Sequence, residues 1–351
     1  MTVTDPFGAG SDPFLPTVTL ALDPEVATKN FKHGLPRLAG EGGRVKVKSI
    51  CVTRYKPGRR CVIEYDVRVE RPGSPRERVQ LIGKVRARRF GNEGYRMLDA
   101  VWNAGFDAHS ADGVSVPEPV GVLPRLQMWV QRKAAGREAT SELCGPGGIA
   151  LARRIAEAAH KLHTAGVSSE RSHVMADELR VLRSHLPRAA DARPALRGRI
   201  ERLLDACDQL GAGIDPAELC GIHRDFYPAQ VLVDGHRLFL LDFDLYCRGD
   251  PALDIGNFSG HLLELAVRQP ADARRFLEAK EAMEDRFAEL AGRRASRRVE
   301  TYTTLTLARH VFLSTQFPER LPFTEAILEQ CEERFGSHKG VHKGVNKGVS
   351  Q

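Results

Sequence analysis

The stretch HRDFYPAQVLVDGHRLFLLDFD, residues 223–244, decides how this 351-residue chain is read. Asp225 stands at its start, and Asp242 and Asp244 stand at its end. Between them, the apolar runs Val231–Val233 and Leu238–Leu241 flank Asp234-Gly235, a strong hairpin turn signal. A hairpin brings the residue before its first strand close to the residue after its second. The spacing therefore predicts that Asp225 and Gln230 meet Asp242 and Asp244 at one end of a buried ribbon. Clustered carboxylates repel unless a proton or cation lies among them. A hard divalent ion such as Mg²⁺, with oxygen ligands, resolves that repulsion at neutral pH. A carboxylate left off the metal can take a proton from a hydroxyl, and together these groups are the inventory for phosphoryl transfer.

Working outward, CVIEYDVRVE (residues 61–70) alternates apolar Cys61, Ile63, Tyr65, Val67 and Val69 with charged neighbours, as a half-buried antiparallel strand does. A strand over 45–55 precedes it through the Pro57-Gly58 turn, and VQLIGKV (79–85) makes a third. A helix over 92–104 and two short strands around 119–131 complete a small α+β lobe. From Gly148 the pattern turns helical. Ile155, Ala158, Ala159 and Leu162 form one apolar stripe, residues 194–210 repeat the spacing, and 251–335 read mostly as helix. Asp250-Pro251 is an N-cap and N1 pair that starts one of these helices. The expected division is an N-terminal extension over 1–43 with a helix near 24–32, a first lobe over 44–130 and a helical second lobe over 131–336. A disordered basic tail follows over 337–351, where glycine recurs every fourth residue.

Composition sets bounds. The chain is 42% hydrophobic and 28% charged, enough to bury a core and stay soluble. Its net charge of +7 includes Lys339, Lys343 and Lys347 of the tail, so the body carries no nucleic-acid footprint. No basic start leads into an apolar run, and no apolar stretch reaches the roughly 18 residues of a membrane span. The seven cysteines are scattered without a CxxC pair, so a reducing cytoplasm is expected rather than a disulfide framework or a zinc site.

The pattern His223-Arg224-Asp225, then Gln230, then Leu241-Asp242-Phe243-Asp244, resembles the catalytic loop of aminoglycoside phosphotransferase and choline kinase-like enzymes, which share the protein-kinase-like fold. Gly249-Asp250-Pro251-Ala252-Leu253-Asp254-Ile255-Gly256-Asn257 is similar to the segment that follows in that family. The resemblance implies a bilobal α+β fold and an enzyme that moves the γ-phosphoryl group of ATP to a small-molecule hydroxyl. It gives Asp225 the role of base, Asp242 and Gln230 that of Mg²⁺ ligands, and Asp244 that of a metal or loop-ordering residue. His223 becomes a scaffold histidine, and Asp254 holds the loop backbone beside the helix-starting Asp250. In the first lobe, Lys84 takes the place of the phosphate-binding lysine and Glu93 that of its partner. The turn 56–60, with Arg59, lies where a phosphate-covering loop belongs. A linker over 127–133, including Gln131, would offer its backbone to adenine. Three positions depart from the family: Gln230 replaces an asparagine, Tyr227 a glycine or histidine, and Ala229 a common glycine. With four residues between Asp244 and Gly249 there is no room for a long activation loop, which favours a small acceptor over a protein. Acids over 250–330, among them Glu264, Glu278, Glu281 and Asp285 beside His261, would suit a cationic acceptor. The competing reading is a non-catalytic nucleotide-binding module marked by Gln230.

Overall fold

A computed structural model describes residues 2–40, 42–87 and 92–343, the last eight of these by backbone alone. The chain forms two units, one of residues 1–136 with 234–244, the other of 137–233 with 245–351.

The first unit contains β1 (Thr2–Thr4), α1 (Thr17–Leu22), α2 (Pro24–Gly34), α3 (Pro36–Ala39), β2 (Arg44–Lys56), β3 (Arg60–Glu70), β4 (Glu77–Arg86), α4 (Glu93–Asn103), β5 (Val114–Ser115), β6 (Pro119–Leu123) and β7 (Met128–Arg132). Six strands make a sheet in the order β1-β2-β3-β4-β7-β6, with β2, β3, β4, β7 and β6 successively antiparallel and β1 parallel on the β2 edge. The period of two puts Cys61, Ile63, Tyr65, Val67 and Val69 in the core with Val79, Leu81 and Val85 of β4. Lys84 and Arg86 follow the opposite parity.

Residues 1–43 do not hang from this unit as an extension. Val18, Ala21, Ala27, Phe31, Leu35 and Leu38 are buried in the same core. The Phe31 ring meets Tyr65 edge-on at 4.8 Å, and the Tyr65 hydroxyl donates to the Ala21 carbonyl at 2.9 Å. Asp23 caps α2 through the Glu25 and Val26 amides, with Pro24 in the first turn. The segment expected as a linker, 127–133, is instead mostly β7. Gln127 makes the preceding turn at φ 46, and Gln131 pairs with Ile82 on one side and Pro119 on the other. The unit boundary falls at 136/137.

The second unit contains β8 (Arg137–Glu138), α5 (Ala139–Glu142), α6 (Gly148–Thr164), β9 (Ser172–His173), α7 (Met175–Ala192), α8 (Arg197–Ala212), β10 (Cys220–Ile222) and β11 (Val231–Asp234). The chain then gives β12 (Arg237–Leu240) to the first unit, where it pairs in parallel with β5. It continues in the second with β13 (Cys247–Gly249), α9 (Ala252–Arg268), α10 (Ala273–Ala291), α11 (Arg294–Ser314) and α12 (Thr324–Lys343). β11 pairs with β8, and β10, β13 and β9 make a small sheet. The quoted stretch is thus shared: residues 223–233 belong to the second unit and 234–244 to the first, with Gly235 at φ 57 between the two strands.

Helix α9 is buried nearly all round and packs on α11 and α10. Gly256 lets α11 close in, since a Cβ there would lie 2.4 Å from Tyr302 Cβ. The backbone of α12 is helical through residues 337–343 of the expected tail, and 344–351 lie outside the described residues. No described helix is long and apolar enough to cross a membrane.

Candidate active site

In the first unit, the alternation of β4 that buries Leu81 and Val85 turns Lys84 to the opposite face. Its Nζ lies 3.0 Å from Asp242 Oδ1 and 4.7 Å above the Trp129 ring, the cross-strand neighbour on β7. Two residues along the same face, Arg86 pairs directly with Asp244. The first turn of α4 closes on the same carboxylate. A Cβ on Gly94 would come within 2.3 Å of Asp244 Oδ1, so any larger residue would have to displace that carboxylate. Glu93 opens that helix, but the carboxylate that the structure sets on Lys84 is that of Asp242.

Burial disfavours the charge on Asp242, yet the Lys84 ammonium, a hydrogen bond with Asp244 and the charge of Arg60 outweigh it. Asp242 is therefore held well below the usual carboxylate range. Asp244 moves the other way, raised by burial and by the charge of Asp242, against the pull of Lys84 and Arg86. The direct contact with the Arg86 guanidinium opposes that rise without cancelling it. Asp242 adopts φ 62, a left-handed conformation that costs about 1–3 kcal/mol in a non-glycine residue and persists where surrounding structure imposes it.

The turn over 56–60 differs from a free phosphate-covering loop. Gly58 sits at φ 64, and its N–H, the natural phosphate donor of such a turn, goes to Asp12 Oδ2 at 2.7 Å. The Tyr55 hydroxyl donates to the same oxygen at 2.9 Å. The Arg59 carbonyl accepts from the Ala87 N–H at 3.0 Å. Gln131 cannot offer its backbone to adenine as expected, because its strand is flanked on both sides within the sheet. The connection to the second unit follows β7.

In the second unit, one buried carboxylate organises the loop 223–230. Asp254, near the start of α9, accepts from the His223 N–H at 2.8 Å and the Arg224 N–H at 2.7 Å. His163 Nε2 on α6 is 2.9 Å from its Oδ2. Three residues on, Asn257 Nδ2 donates to the Phe226 carbonyl at 2.8 Å, and Arg309 of α11 holds the Asn257 side-chain oxygen. Asp250 caps α9 by accepting from the Ala252 N–H at 2.9 Å and pairs with Arg298 at 3.1 Å; burial raises its pKa. These bonds hold Arg224 at φ 70, the residue that sets the direction of Asp225.

Asp225 is half-buried, and no hydrogen-bond donor among the described residues holds its carboxylate. The His223 ring is buried 5.6 Å from Phe226, as a scaffold side chain would be. Gln230 is buried, and its Nε2 donates to the Tyr227 hydroxyl at 3.3 Å, which leaves Oε1 as the acceptor end of the amide. Tyr227 in turn stacks on His261 with ring centres 4.6 Å apart. His163 and Arg309 carry no sequence signal of their own, since they lie on helices whose patterns look like ordinary packing, and the contact of Tyr227 with His261 joins segments far apart in the chain. The acids expected to line an acceptor pocket do not do so as a group. Glu278 pairs with Arg274 at 2.7 Å, Glu281 and Asp285 are exposed on α10, and Glu264 is buried against Arg268.

No group of three or more His, Cys, Asp or Glu among the described residues is arranged to hold a metal ion. Of the residues expected to hold Mg²⁺, Asp242 in the first unit and the Gln230 amide oxygen in the second each present a hard oxygen donor of the kind that ion takes.

Comparison with known proteins agrees with these features. A model of the phosphotransferase enzyme family matches residues 86–294, more than half of the chain. No curated protein sequence matches. A solved choline/ethanolamine kinase family protein from Mesorhizobium loti superposes with a TM-score of 0.53 at 16% identity, over 91% of this chain and 93% of that one. A thermostable mutant of the aminoglycoside phosphotransferase APH(4)-Ia gives 0.57 at 16%, over 84% and 96%. A glucosamine kinase, solved with glucosamine, ADP and inorganic phosphate, gives 0.54 at 15%, over 73% and 80%. At such identities the structures speak for the fold alone, which is protein-kinase-like. The match over 86–294, which contains both Asp242 with Lys84's neighbour Arg86 and the loop organised by Asp254, shows that the chain belongs to the phosphotransferase enzyme family.

Proposed function

We propose that this protein transfers the γ-phosphoryl group of ATP to a hydroxyl of a small molecule. The observation that carries the reading is the loop 223–230. Its backbone is fixed by Asp254 and Asn257, while the carboxylate of Asp225 is left to meet an incoming group. Asp225 orients the acceptor hydroxyl and takes its proton as oxygen attacks the γ-phosphorus and the bond to the ADP oxygen breaks. Lys84 meets nucleotide phosphate once its contact with Asp242 is shared. Asp242 and Gln230 hold Mg²⁺, which neutralises charge on the phosphates when bound. Asp244, tied to Arg86 and α4, orders its segment. Nucleotide-bound relatives support the choice of donor: APH(4)-Ia was solved with AMP-PNP and hygromycin B, and the glucosamine kinase with ADP. The seven cysteines are all free, which fits a reducing cytoplasm, where ATP is plentiful.

The test is Asp225→Asn. Turnover, read as ADP release, should fall at least about 100-fold, the lower end of what a positioned base contributes. The rise in Tm with Mg·ATP should persist. Equal turnover in that variant would refute the role of Asp225. A Tm shift with no turnover in the parent protein would favour the non-catalytic module.

A further inference from the structure

The groups around the Tyr227–His261 stack carry a charge opposite to the one an acidic acceptor pocket would have. His261 touches Tyr227 on one side and His310 of α11, edge-on at 4.5 Å, on the other. Arg309, Arg320 and Arg268 are the charges that bear on this pair. Two glutamates answer them, and both are spent. Glu264 lies 2.7 Å from Arg268 and 3.8 Å from Arg320, so one carboxylate serves two guanidiniums. Glu178 lies 2.6 Å from His173 and 3.5 Å from Arg309, and it also feels Arg224. The glutamate side chains are 3% and 5% exposed, whereas Arg309, Arg268 and Arg320 are 19%, 20% and 29% exposed. In this region the guanidinium side chains are thus more exposed than the carboxylates they pair with.

The region lies beside the loop that carries Asp225. Arg309 binds the Asn257 oxygen, Asn257 holds the carbonyl of Phe226, and Tyr227 follows directly. His310 adds two buried ring nitrogens without a hydrogen-bond partner among the described residues, Nδ1 lying 4.0 Å from Glu264 Oε1. We propose that the acceptor is an anionic alcohol, a small molecule carrying a carboxylate or phosphate beside the hydroxyl that is phosphorylated, with Arg309, Arg320 and Arg268 setting this specificity. Arginine suits the role because its fork of donors matches both anions. The inference rests on the phosphotransfer reading above and adds the charge class of the acceptor.

The experiment is an ADP-release assay with the full chain and Mg·ATP over three matched sets of acceptors. Gluconate and glucose 6-phosphate are the anionic probes, glucose and glycerol the neutral ones, and glucosamine and hygromycin B the cationic ones. The expected result is a kcat/KM at least about tenfold higher for an anionic acceptor than for its neutral counterpart. Raising NaCl from 50 to 500 mM should raise the KM for that acceptor severalfold. Arg320→Gln, on the most exposed of the three arginines, should raise the same KM about tenfold with kcat nearly unchanged. Arg268→Gln repeats the test should the first variant fold poorly. Highest kcat/KM with a neutral or cationic acceptor, or no turnover of any anionic one, would overturn the inference and leave phosphotransfer standing. Absence of any Mg·ATP-dependent rise in Tm would bring down the phosphotransfer reading itself.

Discussion

Asp254 concentrates at one buried carboxylate the bonds that shape the loop around Asp225. Its removal strands two backbone N–H donors and the facing His163 nitrogen. Each buried polar group left without a partner costs about 1–3 kcal/mol, so with three groups stranded Asp254→Ala should lose at least about 3 kcal/mol in chemical denaturation. ADP release should fall more than tenfold under conditions where the variant is still folded, because Arg224 is then free to leave φ 70 and Asp225 to lose its aim. Unchanged stability would show that the loop is held elsewhere. At this scale the sequence was informative for the acids. Asp225 and Asp242 stand out by type and spacing, Asp254 by the resemblance of its segment, and the structure gives each a distinct environment. Gln230 was legible as a departure, but its bond to the Tyr227 hydroxyl was not, because the stack of Tyr227 on His261 joins residues 34 positions apart in sequence.

The helices and strands show the same contrast. The alternation of β3 named its core face, yet nothing in a polar, Pro- and Gly-rich stretch announced that residues 17–39 cover that face. Their apolar positions are few and spread over three short helices, which gives a weak periodic signal. If this segment is core, Phe31→Ala should cost about 3–5 kcal/mol, the usual figure for a buried aromatic. A loss below about 1 kcal/mol, measured by urea unfolding, would return the segment to the status of an appendage. Gly256→Ala tests the second unit. Alanine would favour the helix by about 1 kcal/mol. Its Cβ would stand 2.4 Å from Tyr302 Cβ and 2.8 Å from the Thr303 nitrogen, and overpacking of that kind costs about 1–3 kcal/mol. The clash involves backbone that cannot turn aside, so net destabilisation is expected. A raised Tm would mean that α11 yields.

For the whole molecule, buried histidines set a pH dependence of stability. His261 is pushed down to about 3 by burial and by Arg309, Arg320 and Arg268, and His310 moves in the same direction, with burial again the first cause. The unfolded chain takes up these protons near pH 6.5 while the folded chain refuses them. Protons therefore favour unfolding, and stability should fall as pH drops below about 6.5, by at most about 1.4 kcal/mol per pH unit for each histidine. Glu264, raised by burial, gives the opposite slope, but only nearer the carboxylate range. Denaturation at pH 7.0 and 5.5 should show the loss, and His310→Leu should shrink it; a flat profile would refute the linkage. Legible in the sequence were the resemblance of residues 223–257 to the phosphotransferase family, the acids in that stretch, the place of Lys84 on a strand and a change from strand to helix patterning partway along the chain. All of these rest on local spacing, on turn chemistry or on a motif that survives in one chain. Only the tertiary structure decided that residues 17–39 belong to the first core, that Gln131 lies inside a sheet, that the Gly58 amide is taken by Asp12, and that arginines rather than acids face out beside Tyr227. The reason is the same in each case: these are pairings between distant segments, fixed by which buried polar group finds a partner, and local pattern does not encode that choice.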